Sequence, residues 1–152
     1  MVFRGSNEIN MDTKGRMAIP ARYRDALMSE YSGNLVATIS LTDTCLFIYP
    51  RPEWEELEAK IASMPTLKKS ARNMQLLLIG SARDLELDGS GRVLMPKLLR
   101  DHAELGKGVT LVGQSHRLEL WDTNNWNANR KALLDELANG LDIPEEFQSL
   151  SL

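Results

Sequence analysis

Two ten-residue stretches of the chain, MDTKGRMAIP from Met11 and LDGSGRVLMP from Leu87, follow one pattern. An offset of 76 positions (88 − 12) superimposes Asp12 on Asp88. It also carries Gly15 onto Gly91, Arg16 onto Arg92, Pro20 onto Pro96, Arg24 onto Arg100 and Asp25 onto Asp101. A second offset of 72 (118 − 46) matches LFIYPRPEW, Leu46 to Trp54, to LELWDTNNW, Leu118 to Trp126. The drift between the offsets belongs in surface connections, which tolerate insertions. The chain must therefore be built from two equivalent units in tandem. We divide it into a first repeat with a linking helix over residues 1–75, a second repeat over 76–140 and an acidic tail over 141–152.

Each repeat reads as the same series of elements. Phe3, Ile9 and Met11 alternate with polar residues before the first loop, as Leu85 and Leu87 do before the second, and both patterns predict strands. Short apolar runs, MAI and VLM, follow each arginine and end at Pro20 and Pro96, which suit the first turn of a helix. The helices PARYRDALM and PKLLRDHAEL come next, the second expected to end near Gly106. Strand pairs follow: NLVATIS with CLFIY, and GVTLVGQ with HRLELW. Each repeat closes in a longer amphipathic helix, with Trp54, Leu57, Ile61 and Met64 on one stripe and Trp126, Leu133 and Leu137 on the other. Asp122 or Thr123 can cap the second of these and Gly140 can stop it. TLKKSARNMQLLLIG predicts a helix joining the repeats. The sum is an α+β chain, mainly a β core with peripheral helices.

One difference between the repeats stands out. In HRLELW, Arg117 and Glu119 alternate with Leu118 and Leu120, the pattern of a strand with one wet face. The matching outward positions of the first repeat, Cys45 and Phe47, are apolar. That face is expected to be covered by a helix or by a neighbouring subunit.

Composition narrows the function. At 43% hydrophobic and 26% charged, the chain has the make-up of a globular protein. No apolar run nears the ~20 residues that span a bilayer, and the N-terminus lacks the apolar stretch of a secretory signal. Cys45 has no partner for an internal disulfide and is expected to pack as a small hydrophobe, in keeping with a reducing cytoplasm. The net charge of −3 hides an asymmetry: residues 119–152 hold two basic and seven acidic groups, the rest 16 basic and 14 acidic. Since binding follows the local field, an acidic total leaves nucleic acid open as a partner.

The loop itself points to binding. Glycine allows a tight turn, the aspartate can bond loop amides or hold the guanidinium, and arginine is a planar fork suited to phosphate or to the O6/N7 edge of guanine. Lys14 adds a cation to the first loop, where the second has Ser90. The plainer reading makes Asp12–Arg16 and Asp88–Arg92 surface turn ion pairs worth about 0–1 kcal/mol each. A duplication copies structural features too, so the residues alone leave both readings open. GSG in LDGSGR lacks the Gly-Lys-Ser/Thr of a P-loop, and His102, His116 and Cys45 have no metal-ligand spacing. No nucleophile or base is marked, so no cofactor, metal or small-molecule substrate is expected, and an enzyme clamping a phosphorylated molecule between Arg16 and Arg92 is the weakest alternative.

DTKGR…IP and DGSGR…MP, with the opening FRG, YPRPEWEELE, RNMQLLLIGSA and LVGQSHRLELWD, resemble the bacterial MraZ family of the AbrB/SpoVT superfamily over essentially the whole chain. The resemblance implies two pseudo-symmetric swapped-hairpin modules whose strands interlace into one barrel-like core. It further implies a transcriptional regulator, usually a repressor of the division and cell-wall gene cluster and of its own gene. Such a regulator binds double-stranded DNA at G-rich direct repeats in a promoter, assembles into rings with itself, and works in the cytoplasm on the nucleoid. Carried onto this chain, the DNA-reading residues are Arg16 and Arg92, with Lys14 beside the first. Asp12 and Asp88 orient the arginines, Gly15 and Gly91 let the loop backbone approach the duplex, and Arg4, Arg22 and Arg24 reach phosphates. An antitoxin-like module binding DNA and a protein remains the alternative. The tail, through Ile143, Phe147 and Leu150, either packs between subunits or frays.

Overall fold

The computed structural model describes residues 1–140 and 143–152; the part of the tail expectation that falls on Leu141 and Asp142 lies outside the described residues. The first repeat folds as β1 (Ser6–Asn10), β2 (Arg16–Ala18), α1 (Ala21–Tyr31), β3 (Asn34–Ile39), β4 (Leu46–Pro50) and α2 (Arg51–Ala62). After α3 (Lys69–Gly80), the second repeats the order with β5 (Arg83–Glu86), β6 (Arg92–Leu94), α4 (Lys97–His102), β7 (Gly108–Gln114), β8 (Arg117–Asp122) and α5 (Thr123–Ala138). A short α6 (Glu145–Gln148) lies in the tail. The α+β expectation holds: the β core is antiparallel and the longer helices are peripheral.

The halves exchange strands. A six-stranded sheet runs β1-β7-β8-β4-β3-β5, so the first strand of each repeat adds to the hairpin of the other. At its centre β4 pairs with β8, Phe47 opposite Glu119, which are equivalent positions in the two repeats. A separate ribbon pairs β2 with β6, with Met17 opposite its own counterpart Val93. The pseudo-two-fold axis therefore passes through both pairings. Residue Met11 of the segment after β1 bridges to Met17, so the ribbon lies across the open side of the sheet. Alternate residues of every strand point between ribbon and sheet, and Met17, Ile19, Leu35, Leu46, Ile48, Val93, Met95, Leu111, Leu118 and Leu120 make one core drawn from both repeats. At about 1.5–3 kcal/mol for each such side chain, neither repeat could bury its own set alone.

Several local expectations need correcting. Pro20 and Pro96 sit one position earlier than the first helical turn, as extended caps whose carbonyls accept from the amides of Arg24 and Arg100. Helix α4 stops at His102, short of Gly106, because Glu104 turns left-handed at φ 53°. Met64 lies beyond the end of α2 and is exposed. Asp122 does cap α5, accepting from the amide of Asn125 at 3.3 Å, yet the predicted stripe is not core: Leu133 and Leu137 are about half exposed, since α5 extends past the sheet that holds Trp126.

The face of Cys45 and Phe47 is covered within the subunit. Cys45 is fully buried with Val112 and Trp121, and burial pushes its thiol up to about 12, so it packs as the small hydrophobe expected. Phe47 lies between that cluster and the one formed by Val36, Tyr49 and Trp54 under α2. Arg117 and Glu119, expected on a wet face, are mostly covered instead: the Arg117 guanidinium stacks 3.9 Å from the Phe47 ring centre and donates to Glu119 at 3.1 Å. Cation–π stacking of this kind explains why a charged pair can face an aromatic one across the axis.

Candidate nucleic-acid interface

Local turn chemistry builds the two loops the same way. In the first, Oδ1 of Asp12 accepts from the backbone amides of Lys14 and Arg16, both at 2.9 Å. In the second, Oδ1 of Asp88 accepts from Ser90 and Arg92 at 2.8 and 3.0 Å. Each aspartate also closes the turn through its backbone, its amide donating to the arginine carbonyl at 2.9 Å and its carbonyl accepting from the glycine amide at 3.0 Å. The amide donated by Arg16 holds the Asp12 carboxyl below its ordinary value despite some desolvation. Asp88 is lowered likewise, first by the Arg92 amide, and it also feels the charge of Arg16 from the other loop. The two loops are therefore electrostatic neighbours. The aspartates orient the loop backbone, with one reaching the guanidinium as well: Arg16 Nε donates to Asp12 Oδ2 at 3.0 Å.

The loop glycines meet protein closely. Gly15 and Gly91 are buried at φ 94° and 75°, in the left-handed region that favours glycine. A Cβ on Gly15 would fall 2.6 Å from the Met95 carbonyl and 2.7 Å from Arg100 Nε; one on Gly91 would strike Arg24. Each arginine thus lies over the glycine of the opposite repeat, its Nε bonded at 3.0 Å to Ile19 (Arg24) or Met95 (Arg100). The amides of Ile19 and Met95 in turn donate to the Gly91 and Gly15 carbonyls at 2.9 and 2.8 Å. Arg24 and Arg100 are keystones between the repeats. Their recurrence at the shared offset was the sequence signal for them, but not for that role.

What remains for a ligand is the outer face of the ribbon. With Met17 and Val93 turned inward, Arg16, Ala18, Arg92 and Leu94 point out and are exposed. Among the described residues the Arg92 guanidinium has neither hydrogen bond nor ion pair, and the Lys14 side chain is equally uncommitted. Arg16, Arg92 and Lys107 line one concavity of about 250 Å³; Lys107 carried no motif and was missed. Arg22 is engaged otherwise: its Nη2 donates to the Arg4 carbonyl at 3.0 Å and to Asn7, while its guanidinium stacks 4.5 Å from the Tyr23 ring centre. The Tyr23 hydroxyl donates to the same carbonyl at 2.6 Å. The structure thus brings Arg4 and Arg22 to each other, with the Arg4 side chain left exposed. Among the described residues no group of metal-ligating side chains forms and no helix is long and apolar enough to cross a membrane.

Fold and site together define a duplicated, strand-exchanged α+β protein that presents paired arginines on an exposed ribbon. The sequence model of a family described as "MraZ protein, putative antitoxin-like" matches residues 2–77 and again 78–139. The transcriptional regulator MraZ of Alkalilimnicola ehrlichii is 52% identical over 151 residues, covering 99% of this chain and 100% of that protein. Those of Pseudomonas aeruginosa and Halorhodospira halophila are each 48% identical, with the same coverage. The chain belongs to the MraZ family. It is a transcriptional regulator and not an enzyme.

Proposed function

We propose that this protein is a sequence-specific DNA-binding regulator that reads G-rich direct repeats in a promoter through Arg16 and Arg92. On this reading it represses the division and cell-wall gene cluster, its own gene included, and works on the nucleoid in the cytoplasm. The observation that carries the proposal is the ribbon: two arginines, with no part in the core, stand on the outer face of a two-stranded element of the kind that fits a major groove. Lys14 adds a phosphate contact, and Asp12 and Asp88 hold both loops in shape. Gly15 and Gly91, packed beneath Arg100 and Arg24, fix the shape of the loops rather than facing the duplex, while Arg4 and Arg22 are candidates for phosphates farther out. Fluorescence-anisotropy titration of a duplex with three G-rich repeats, against a scrambled duplex, tests this. Arg16→Ala/Arg92→Ala should abolish the preference while melting and particle mass stay as in wild type. Unchanged preference would make the loops structural turns.

Self-association into a ring belongs to the same proposal. Met74, Leu76 and Leu77 on α3, and Leu133, Leu134 and Leu137 on α5, are each about half exposed. The start of α3 is basic, with Lys68, Lys69 and Arg72, and the end of α5 is acidic, with Asp135 and Glu136. Two unlike, charge-complementary faces suit a head-to-tail contact, which closes into a ring when the rotation allows. Leu77→Glu should lower the mass measured by light scattering. The exposed Ile143, Phe147 and Leu150 of the tail support the antitoxin-like alternative instead if full-length protein retrieves a stoichiometric toxin.

A further inference from the structure

The ribbon is symmetric in its backbone and asymmetric in what it shows to solvent. Its register sets Arg16 opposite Leu94 and Arg92 opposite Ala18. These are equivalent pairs under the 76-residue offset, so each arginine has one directly opposed apolar neighbour. The inward positions are equivalent in kind, Met17 with Val93 and Ile19 with Met95, all at or below 1% exposure. Only the outward pair has diverged, from a methyl to an isobutyl group. Leu94 is 55% exposed, and no described element covers it. Leaving an apolar side chain of that size in water forgoes stabilisation, which is restored if a ligand buries it.

The dimensions suit the ligand already proposed. Directly opposed residues of an antiparallel pair have Cβ atoms about 4.5–5.5 Å apart, and successive base pairs are about 3.4 Å apart. A ribbon placing the Arg16 fork on guanine would therefore hold Leu94 over an adjacent base step. The apolar group that a major groove offers there is the thymine 5-methyl. Resting on the DNA reading above, we propose that Leu94 is a specificity-determining residue that packs on the 5-methyl of a thymine beside the guanine read by Arg16. Ala18, opposite Arg92, is too short to make the matching contact. The difference gives each subunit a direction along the duplex. A two-fold reader with identical faces selects palindromic half-sites; direct repeats need that symmetry broken, and the pair Leu94/Ala18 breaks it.

The test compares wild type, Leu94→Ala and Leu94→Met as full-length protein, by anisotropy. One duplex carries three G-rich repeats flanked by T·A pairs; the other has every flanking thymine replaced by uracil, which removes the methyl and keeps base pairing. Wild type should bind the uracil duplex about fourfold more weakly for each methyl contacted. Leu94→Ala should bind both duplexes equally, and Leu94→Met should recover the difference. Equal wild-type binding to both, or the same thymine preference in Leu94→Ala, overturns the proposal. So does a fall in the particle mass of Leu94→Ala, which would make Leu94 an assembly contact. If wild type fails to prefer the repeats over a scrambled duplex, the DNA reading fails and this inference with it, a result separable from the others.

Discussion

The two loops share a backbone and differ in how they hold their arginine. In the first, Asp12 grips both the amide and the Nε of Arg16, and Lys14 stands beside it. In the second, Asp88 grips only the amide of Arg92, and Gly89 and Ser90 precede it. Downstream the contrast continues: Ala18 and Arg22 of the first repeat correspond to Leu94 and Leu98 of the second, both exposed. Side chains that serve the turn or the interlocked core are alike in the two repeats, and so are the exposed Arg16 and Arg92, whereas their solvent-facing neighbours have diverged. Duplication preserved what folding needs together with the two exposed arginines, and released the side chains around them.

The largest effect expected from probing this contrast is on stability. Gly15→Ala should cost about 2–4 kcal/mol, because it combines a strained φ with collision against a backbone carbonyl that cannot move independently. Gly91→Ala should cost less, since its obstruction is the side chain of Arg24. Paired thermal melts check the order, and an equal loss would make the repeats mechanically equivalent after all. Next in size are the arginines taken singly. On the proposed DNA reading each guanine contact is worth about 1–3 kcal/mol of discrimination, and Arg16→Ala should weaken repeat binding more than Arg92→Ala because Asp12 pre-orients Arg16. Asp12→Asn should bring the two variants closer together.

Smaller still is the contribution of Lys14. Its replacement by Ala should lower the salt dependence of binding by about one phosphate, and Ser90→Lys should raise it by about one, both read as slopes of log affinity against log salt. The smallest effect is that of acid. Both loop carboxyls titrate below the ordinary 3.8 when folded. Their contribution is therefore present above that value and lost as pH falls through the lowered one. Protection of the loop amides, their exchange taken relative to the intrinsic rate at each pH, should fall below about pH 3.8 in wild type, and Asp12→Asn/Asp88→Asn should remove that dependence.

Much of the fold and of the ribbon site is legible in the order of the amino acids. The turn of Asp12 to Arg16 is made by bonds spanning at most four residues, so its residue types announce it. Strands and helices follow from periodicity for the same reason. Expectation and fold part where an element meets something remote in sequence. Leu133 and Leu137 have helical spacing, but among the described residues they stay about half exposed at the end of α5. Arg117 and Glu119 alternate like a solvated face, but Phe47 lies across from them and Trp121, whose indole donates to Glu119 at 3.1 Å, fills the space beside. Arg24 looks like one more cation for phosphate; only its position over Gly91, matched by that of Arg100 over Gly15, makes it structural.

By itself the sequence determined the duplication, the loop chemistry and the kinds of element, all of which depend on neighbours within a few positions. Tertiary structure alone decided that β1 pairs with β7 and β5 with β3, which exchanges the halves and buries a core neither could form singly. It also decided which arginines remain for a ligand. Six arginines, Arg4, Arg16, Arg22, Arg24, Arg92 and Arg100, cluster near the repeated motifs, and charge alone does not rank them. Folding engages Arg22, Arg24 and Arg100 with carbonyl oxygens and leaves Arg16 and Arg92 on the ribbon. The physical reason is that a long cation serves whichever acceptor the fold brings within about 3 Å, and that distance is set by the whole chain.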